Sequence, residues 1–566
     1  MLRPLACLLL LALAAPAQTT WYVDVAGVPP GTGTFADPFT SIDFALQQGT
    51  TLGGDTVLVA PGTYFESVTF PGRGVSVIAT GGSEATAIDS DGSGSTVTFL
   101  STDGGTMVLS GFTIRGGTGT SPSGFSGDEQ GGGILASSSI AKVLDCVIED
   151  NTAFEGGGAY ASNSTFEMRR TIVRNNTVDG FVPTGAGLMF SGGDAVLRRC
   201  IIQFNIAGTP SQPGMGGGIY ATGPLSMQRC AVLDNRAELA GGGIHGSVDI
   251  AGCRITRNTS QFGGGVYGSS TIRQSALQGN RADSASGSGH FGGGVYGAST
   301  LTNCLLVGNL AYGQGGGADG ATLVRCTLLD NEARDGDNVN AQGAGAIAST
   351  LTDCILTNNV ATGFFGAVGG GASQSFLTGC VLTANSAQCS FPPQAAGGGA
   401  FFCVLDACTV LDNTTNGLGG GLYGGSSLAC EIVGNDAGWG GGAASASLER
   451  STLFANSATT GAGGVHVEAY AIGSLLDSIV WLNGSTEIAV DALGSLTVTY
   501  TDVLGGWPGL GNLDADPLFW NEGAQDVHLQ ALSPCIDAGD PASALDPDGS
   551  RADMGAYPFD PNYPNE

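Results

Sequence analysis

Two sets of side chains in this 566-residue chain recur at a spacing suited to binding. The first is aromatic or imidazole. Tyr160, Tyr220, His245, Tyr267 and Tyr296 each stand two residues after a run of three glycines. The residue between is always apolar (Ala159, Ile219, Ile244, Val266, Val295), so strand alternation turns the rings outward. Exposed rings would offer amphipathic faces to sugar rings. A self-stacked ladder that only stiffens a sheet is the competing reading. The second set is cationic. Arg170, Arg199, Arg229, Arg325 and Arg450 share one repeat position, which Asp145 and Asp353 hold in other copies. Such a row could grip uronate or sulfate groups, or it could close onto neighbouring acids.

The elements that position these side chains form a repeat. Gly216-Gly217-Gly218-Ile219-Tyr220 has looser or GAG-type copies from Gly131 to Gly464, fourteen in all, 21 to 31 residues apart. Between copies runs a Cys with an Asn five residues on, as in Cys230/Asn235, Cys253/Asn258 and Cys326/Asn331. Repeats of this length mean a solenoid. In the copy from Gly241, Ile244 is expected on a first short strand, Val248 and Ile250 on a second, Cys253 and Ile255 on a third. Asn258 marks the turn, where Asn tolerates the left-handed conformation and can bond its counterpart one rung away. Length variation falls between the Asn and the next glycine run, so long insertions should line one edge, where function tends to live. The fold expected is all-β: a single-stranded right-handed parallel β-helix, capped by a helix near Ser41 to Gln48 and by a C-terminal region. Its parts are a signal peptide (1–17), an N-terminal cap with first rungs (18–125), glycine-rich repeats (126–490), and C-terminal rungs and cap (491–566).

Composition narrows the partners. With 49 acidic and 19 basic side chains the net charge is −30, which argues against nucleic acid as a partner. Arg3, the apolar Leu5 to Ala15 and Ala15-Pro16-Ala17 fit a secretory signal. No later stretch is apolar for ~20 residues, so no membrane span is expected. Export to the cell surface or medium, as a monomer, follows. Of thirteen cysteines after cleavage, ten share the repeat position. In-register strands hold them ~4.8 Å apart, beyond the ~3.8 Å Cβ separation of a disulfide, so buried free thiols are expected. Cys389 and Cys403 lie off that ladder and are the best disulfide candidates.

The helix, Asp55-Thr56-Val57-Leu58-Val59-Ala60-Pro61-Gly62-Thr63-Tyr64 and Ser110-Gly111-Phe112-Thr113-Ile114-Arg115-Gly116-Gly117 resemble the N-terminal end of secreted parallel β-helix proteins of the pectate-lyase-like superfamily. The glycine runs are similar to those of bacterial polymorphic outer-membrane and surface proteins. The end, from Asp516-Pro517-Leu518-Phe519 through Ser533-Pro534-Cys535-Ile536-Asp537 to Asp553-Met554-Gly555-Ala556-Tyr557, resembles bacterial "choice-of-anchor Q" surface proteins. Lyases on this fold use a Lys or Arg base and Ca²⁺, and hydrolases use paired Asp. This chain has no adjacent Asp pair, no Arg-x-Pro-x-x-Arg and no Gly-His-Gly; Lys142 is its only lysine. Asp283, Asp335 and Asp337 with His290 come nearest to a polar cluster. Asp546 and Asp548, with Asp553, form an oxygen-rich turn that could take Ca²⁺ or simply cap the chain; no other cofactor is expected. The expectation is a non-catalytic scaffold, adhesive or polysaccharide-binding through its loop-lined face. A polysaccharide lyase or glycoside hydrolase is the alternative.

Overall fold

The computed structural model describes residues 18–48, 54–100, 105–122, 124, 127–283, 289–335, 339–391 and 394–563. The expected signal peptide and Asp337 lie outside them. Within them the chain winds as a parallel β-solenoid. In the rung from Gly241, the first two expected strands fuse into one, Ile244–Ala251. Arg254–Thr256 follows, and a short strand the sequence did not suggest, Thr259–Ser260, comes after Asn258. Each strand pairs in register with its counterpart one rung on: Ile244 with Val266, Ile250 with Ile272, Ile255 with Leu277. Stacking gives a 32-stranded first sheet, a second sheet of the strands after the Cys position, and an 18-stranded third sheet after the Asn. Ile244, Val248, Ile250, Cys253 and Ile255 all point into one continuous core. No rung could bury these side chains alone; the stack does it for all of them.

The corners show why the repeat needs its residues. Gly216 sits at φ 66°, a left-handed conformation that glycine adopts freely. A Cβ on Gly217 would stand 2.4 Å from the Arg236 carbonyl oxygen, so backbone fills that space. The other two corners are left-handed at Arg229 (φ 54°) and Asp234 (φ 53°), each one residue before the ladder Cys or Asn. The Asn itself is therefore not the left-handed residue. Turning one residue early aims its side chain inward. Asn235 is buried, and its backbone N–H and Nδ2 both donate to Asn258 Oδ1 at 3.0 Å, while Nδ2 also donates to the Ile202 carbonyl at 2.9 Å. This column of amides runs unbroken from Asn151 to Asn483, whose Nδ2 donates to Glu487 at 2.8 Å.

All thirteen described cysteines are buried free thiols. The expected Cys389–Cys403 disulfide is absent. Cys389 belongs to an alanine-lined cluster beside the third sheet and donates to the Phe391 carbonyl, whereas Cys403 sits in the main core and donates to the Phe401 carbonyl.

The N-terminal end is closed. The helix Ile42–Gln48 buries Ile42, Ala45 and Leu46 over the first rungs. The Ser41 hydroxyl accepts the Phe44 N–H as N-cap, and Glu66 accepts the Ile42 and Asp43 N–H groups. The C-terminal segment lies along the flank: Phe519, Val527, Leu529, Cys535 and Met554 pack on Val433, Phe454, Ile479 and Trp481, the outward residues of second-sheet strands whose Ile432, Leu453 and Val480 face the main core. Among the described residues no helix is long and apolar enough to cross a membrane.

Candidate functional site

The aromatic row is a ladder whose faces are already taken. Tyr220 and His245 stack with ring centroids 4.5 Å apart, His245 and Tyr267 at 4.7 Å, and Tyr267 and Tyr296 at 5.5 Å. Phe262 and Phe291 crowd Tyr296 from the side. The rungs are spaced like stacked rings, so each ring covers its neighbour. The four are half-buried rather than exposed, which corrects the expectation of open faces. Tyr160 is buried outright and separated from the stack by Met189. Burial holds the His245 imidazole neutral, pushing its pKa down to about 4, and raises the Tyr160, Tyr220 and Tyr296 hydroxyls. Asp319, next in the row after Tyr296, is pushed up to about 6 by burial.

The cationic row occupies the left-handed corner between the first and second sheets. From Asp145 to Asp353 its members in chain order are Asp145, Arg170, Arg199, Arg229, Gly252, Gln274, Asn303, Arg325 and Asp353, all at φ between 48° and 61°, and Arg450 takes the same position further along. At one end the row closes on itself. Arg170 Nε and Nη2 donate to the two oxygens of Asp145 at 2.6 and 2.7 Å, which holds that carboxyl below its ordinary value. Arg199 and Arg229 have no such acid. With Arg198 and Arg254 they line two joined grooves of about 650 and 330 Å³. Of the seventeen described arginines, ten form ion pairs with carboxylates, and four of the other seven are these. No carboxylate lines either groove.

The loop edge holds a feature the sequence reading missed. Phe364, Phe365 and Phe391 stand 55%, 63% and 48% exposed and touch one another. Asp335 staples the loops beneath Phe364 and Phe365: its carboxylate accepts the N–H groups of Ala341, Phe364 and Phe365. The signal was present, since Phe364-Phe365 and Phe391 fall in the long insertions after Asn359 and Asn385. Asp283 pairs instead with Arg281 at 2.6 Å, and Arg281 donates to the Tyr312 hydroxyl at 3.0 Å. His290 is buried with Nδ1 3.2 Å from the Tyr312 carbonyl oxygen. Asp335 thus serves a separate contact, while Asp283, through Arg281, and His290 meet at Tyr312. In the C-terminal turn the Asp546 carboxylate accepts the Asp553 N–H, Asp553 accepts those of Asp537 and Phe559, and Asp548 accepts that of Ser550. Their oxygens face backbone donors, and among the described residues no group of three or more His, Cys, Asp or Glu could hold a metal ion.

The fold and its surfaces define a parallel β-helix protein. No protein-family model and no curated protein matches the chain. Among solved structures it is similar to pectate lyase Pel9A, at 13% identity over 96% of this chain and 97% of that one, with a TM-score of 0.26. It is also similar to the PL6 family alginate lyase AlyGC (13%, 81% and 74%, TM-score 0.29). A third is tailspike protein 3 of bacteriophage CBA120 (12%, 86% and 62%, TM-score 0.24).

Proposed function

We propose that this protein is an exported, non-catalytic scaffold that binds polysaccharide through its loop-lined edge. One observation carries the proposal: three phenylalanine rings stand exposed on insertion loops, two of them on a loop that Asp335 holds in place. An exposed aromatic cluster on a charged, water-soluble surface marks a contact site. Rings fixed by backbone hydrogen bonds stack on sugar faces without losing further conformational freedom. Asp283 is held by Arg281 and Asp335 by backbone N–H groups, which supports binding over catalysis.

The test is retention of the purified protein on a panel of insoluble and gel-immobilised polysaccharides, with product assays for new reducing or unsaturated ends. Retention without cleavage, weakened roughly tenfold in Phe364→Ala/Phe365→Ala, is expected from the loss of two stacking faces. Cleavage of any retained glycan would overturn the non-catalytic reading, and unchanged retention in the double variant would move the contact off this edge.

A further inference from the structure

The arginine corner lies away from the phenylalanine loops and calls for a different ligand. On a chain of net charge −30, most arginines are quenched by a carboxylate one rung away or two residues along the strand. Arg198, Arg199, Arg229 and Arg254 escape this, all within three successive rungs. Arg169 and Arg170 keep the acids Glu167 and Asp145, but Arg199 and Arg229 follow one another at the corner with no acid between, so two unquenched like charges are stacked in register. Such stacking is unfavourable unless an anion lies between. Space for one exists at Gly252, which takes the corner position after Arg229. A Cβ there would meet only the Arg229 side chain, at 3.8 Å. Gln274 and Asn303 continue the wall as neutral amides.

We infer that this corner is a binding site for a polymer bearing tetrahedral ester oxyanions, sulfate or phosphate monoesters, laid along the solenoid axis. Three guanidinium groups from successive rungs match an ester group with three free oxygens. A carboxylate offers two oxygens and is satisfied by a single fork, as Asp145 is by Arg170. The joined grooves run from Arg169 to Asn303, six rungs or about 25 Å at the strand spacing. That length suits a chain rather than a lone ion.

The experiment sets the full-length protein against dextran sulfate, a phosphomannan, polygalacturonate and neutral dextran at equal ionic strength. At least one ester-bearing polymer should bind roughly tenfold or more tighter than polygalacturonate, and neutral dextran should not bind at this site. Arg199→Gln/Arg229→Gln should lose that advantage and lower the slope of log affinity against log salt, while Arg257→Gln, on the other corner, changes neither. Phe364→Ala/Phe365→Ala should leave it intact, which separates this site from the loop edge. Equal or tighter binding of polygalacturonate would overturn the inference, as would an unchanged salt slope in the double variant. Because both arginines are exposed, a folded variant is expected, and its circular dichroism checks that loss of binding is not loss of structure.

Discussion

The asparagine column and the arginine corner are separated by only six residues in each rung, yet they obey opposite rules. Inside, every amide from Asn151 to Asn456 finds the next, because an unpaired buried donor costs far more than a bond gains. Outside, the same regular spacing brings Arg169 opposite Arg198 and leaves Arg199 and Arg229 without acids, because water tolerates what the interior cannot. The half-buried aromatic row falls between, stacked but not hydrogen-bonded. Repetition alone does not make a row structural; burial does. A row left unpaired in water is the one free to take a ligand.

Breaking the column should have the largest effect. Asn331→Ala strips the acceptor from the Asn309 N–H and Nδ2 and the donor from the Leu306 carbonyl. With three buried groups unpaired, a loss of roughly 4 kcal/mol is expected, measured as a shift in the denaturant midpoint. A loss under about 1 kcal/mol would place the stability of the stack elsewhere.

The aromatic row should respond to acid. The folded pKa of His245 is depressed from 6.5 to about 4, so its contribution is present above pH 6.5 and is lost as pH falls towards 4. Stability should drop by roughly 2 kcal/mol across that window and stay flat in His245→Phe on account of this group. Thermal melts at four or five pH values would show it. Asp319 tilts the other way: raised to about 6, it stabilises below its ordinary 3.8 and loses that contribution as pH rises through 6. Asp319→Asn should remove that second slope.

At the corner the comparison can be reversed by one substitution. Arg199→Asp sets an acid one rung before Arg229, as Asp145 stands before Arg170. Sulfated-polymer affinity should fall at least tenfold with the melting midpoint unmoved. The smallest effect is the opposite change. Asp145→Ala frees Arg170 and should add one unpaired guanidinium to the groove, raising that affinity about two- to threefold in titration calorimetry.

The rung and its core were legible because glycine, cysteine and asparagine each answer one geometric demand per turn. Ile244, Val248, Ile250 and Ile255 were placed on strands correctly, and the N-terminal helix falls where it was expected. The turn was misplaced by one residue, because left-handed corners accept Asp, Arg, Gln, Ala and Phe alike and leave no signature of their own. Outward alternation of the tyrosines was legible, but the spacing that makes rings cover each other belongs to the stack, not to any rung. Arg199 and Arg229 were visible as a row. That they lack acids depends on what stands one rung away, at sequence distances that vary with each insertion. Phe364, Phe365 and Phe391 come together only because two insertions of different length end at the same edge.

The long insertions between rungs are discharged at that edge and smaller differences at the bulges of the first sheet between Phe190 and Ala195 and between Ala221 and Leu225, while the second sheet and the amide column keep one-to-one register. A rung is therefore an exchangeable unit. Cutting the chain at Gly241 and rejoining it at Gly263 would bring Asn235 against Asn280 and Ile219 against Val266, with every ladder closed over the gap. A gene for such a chain can lengthen or shorten by unequal crossing-over without passing through an unfoldable intermediate, and the insertions, unconstrained by the register, are free to diverge in each new copy.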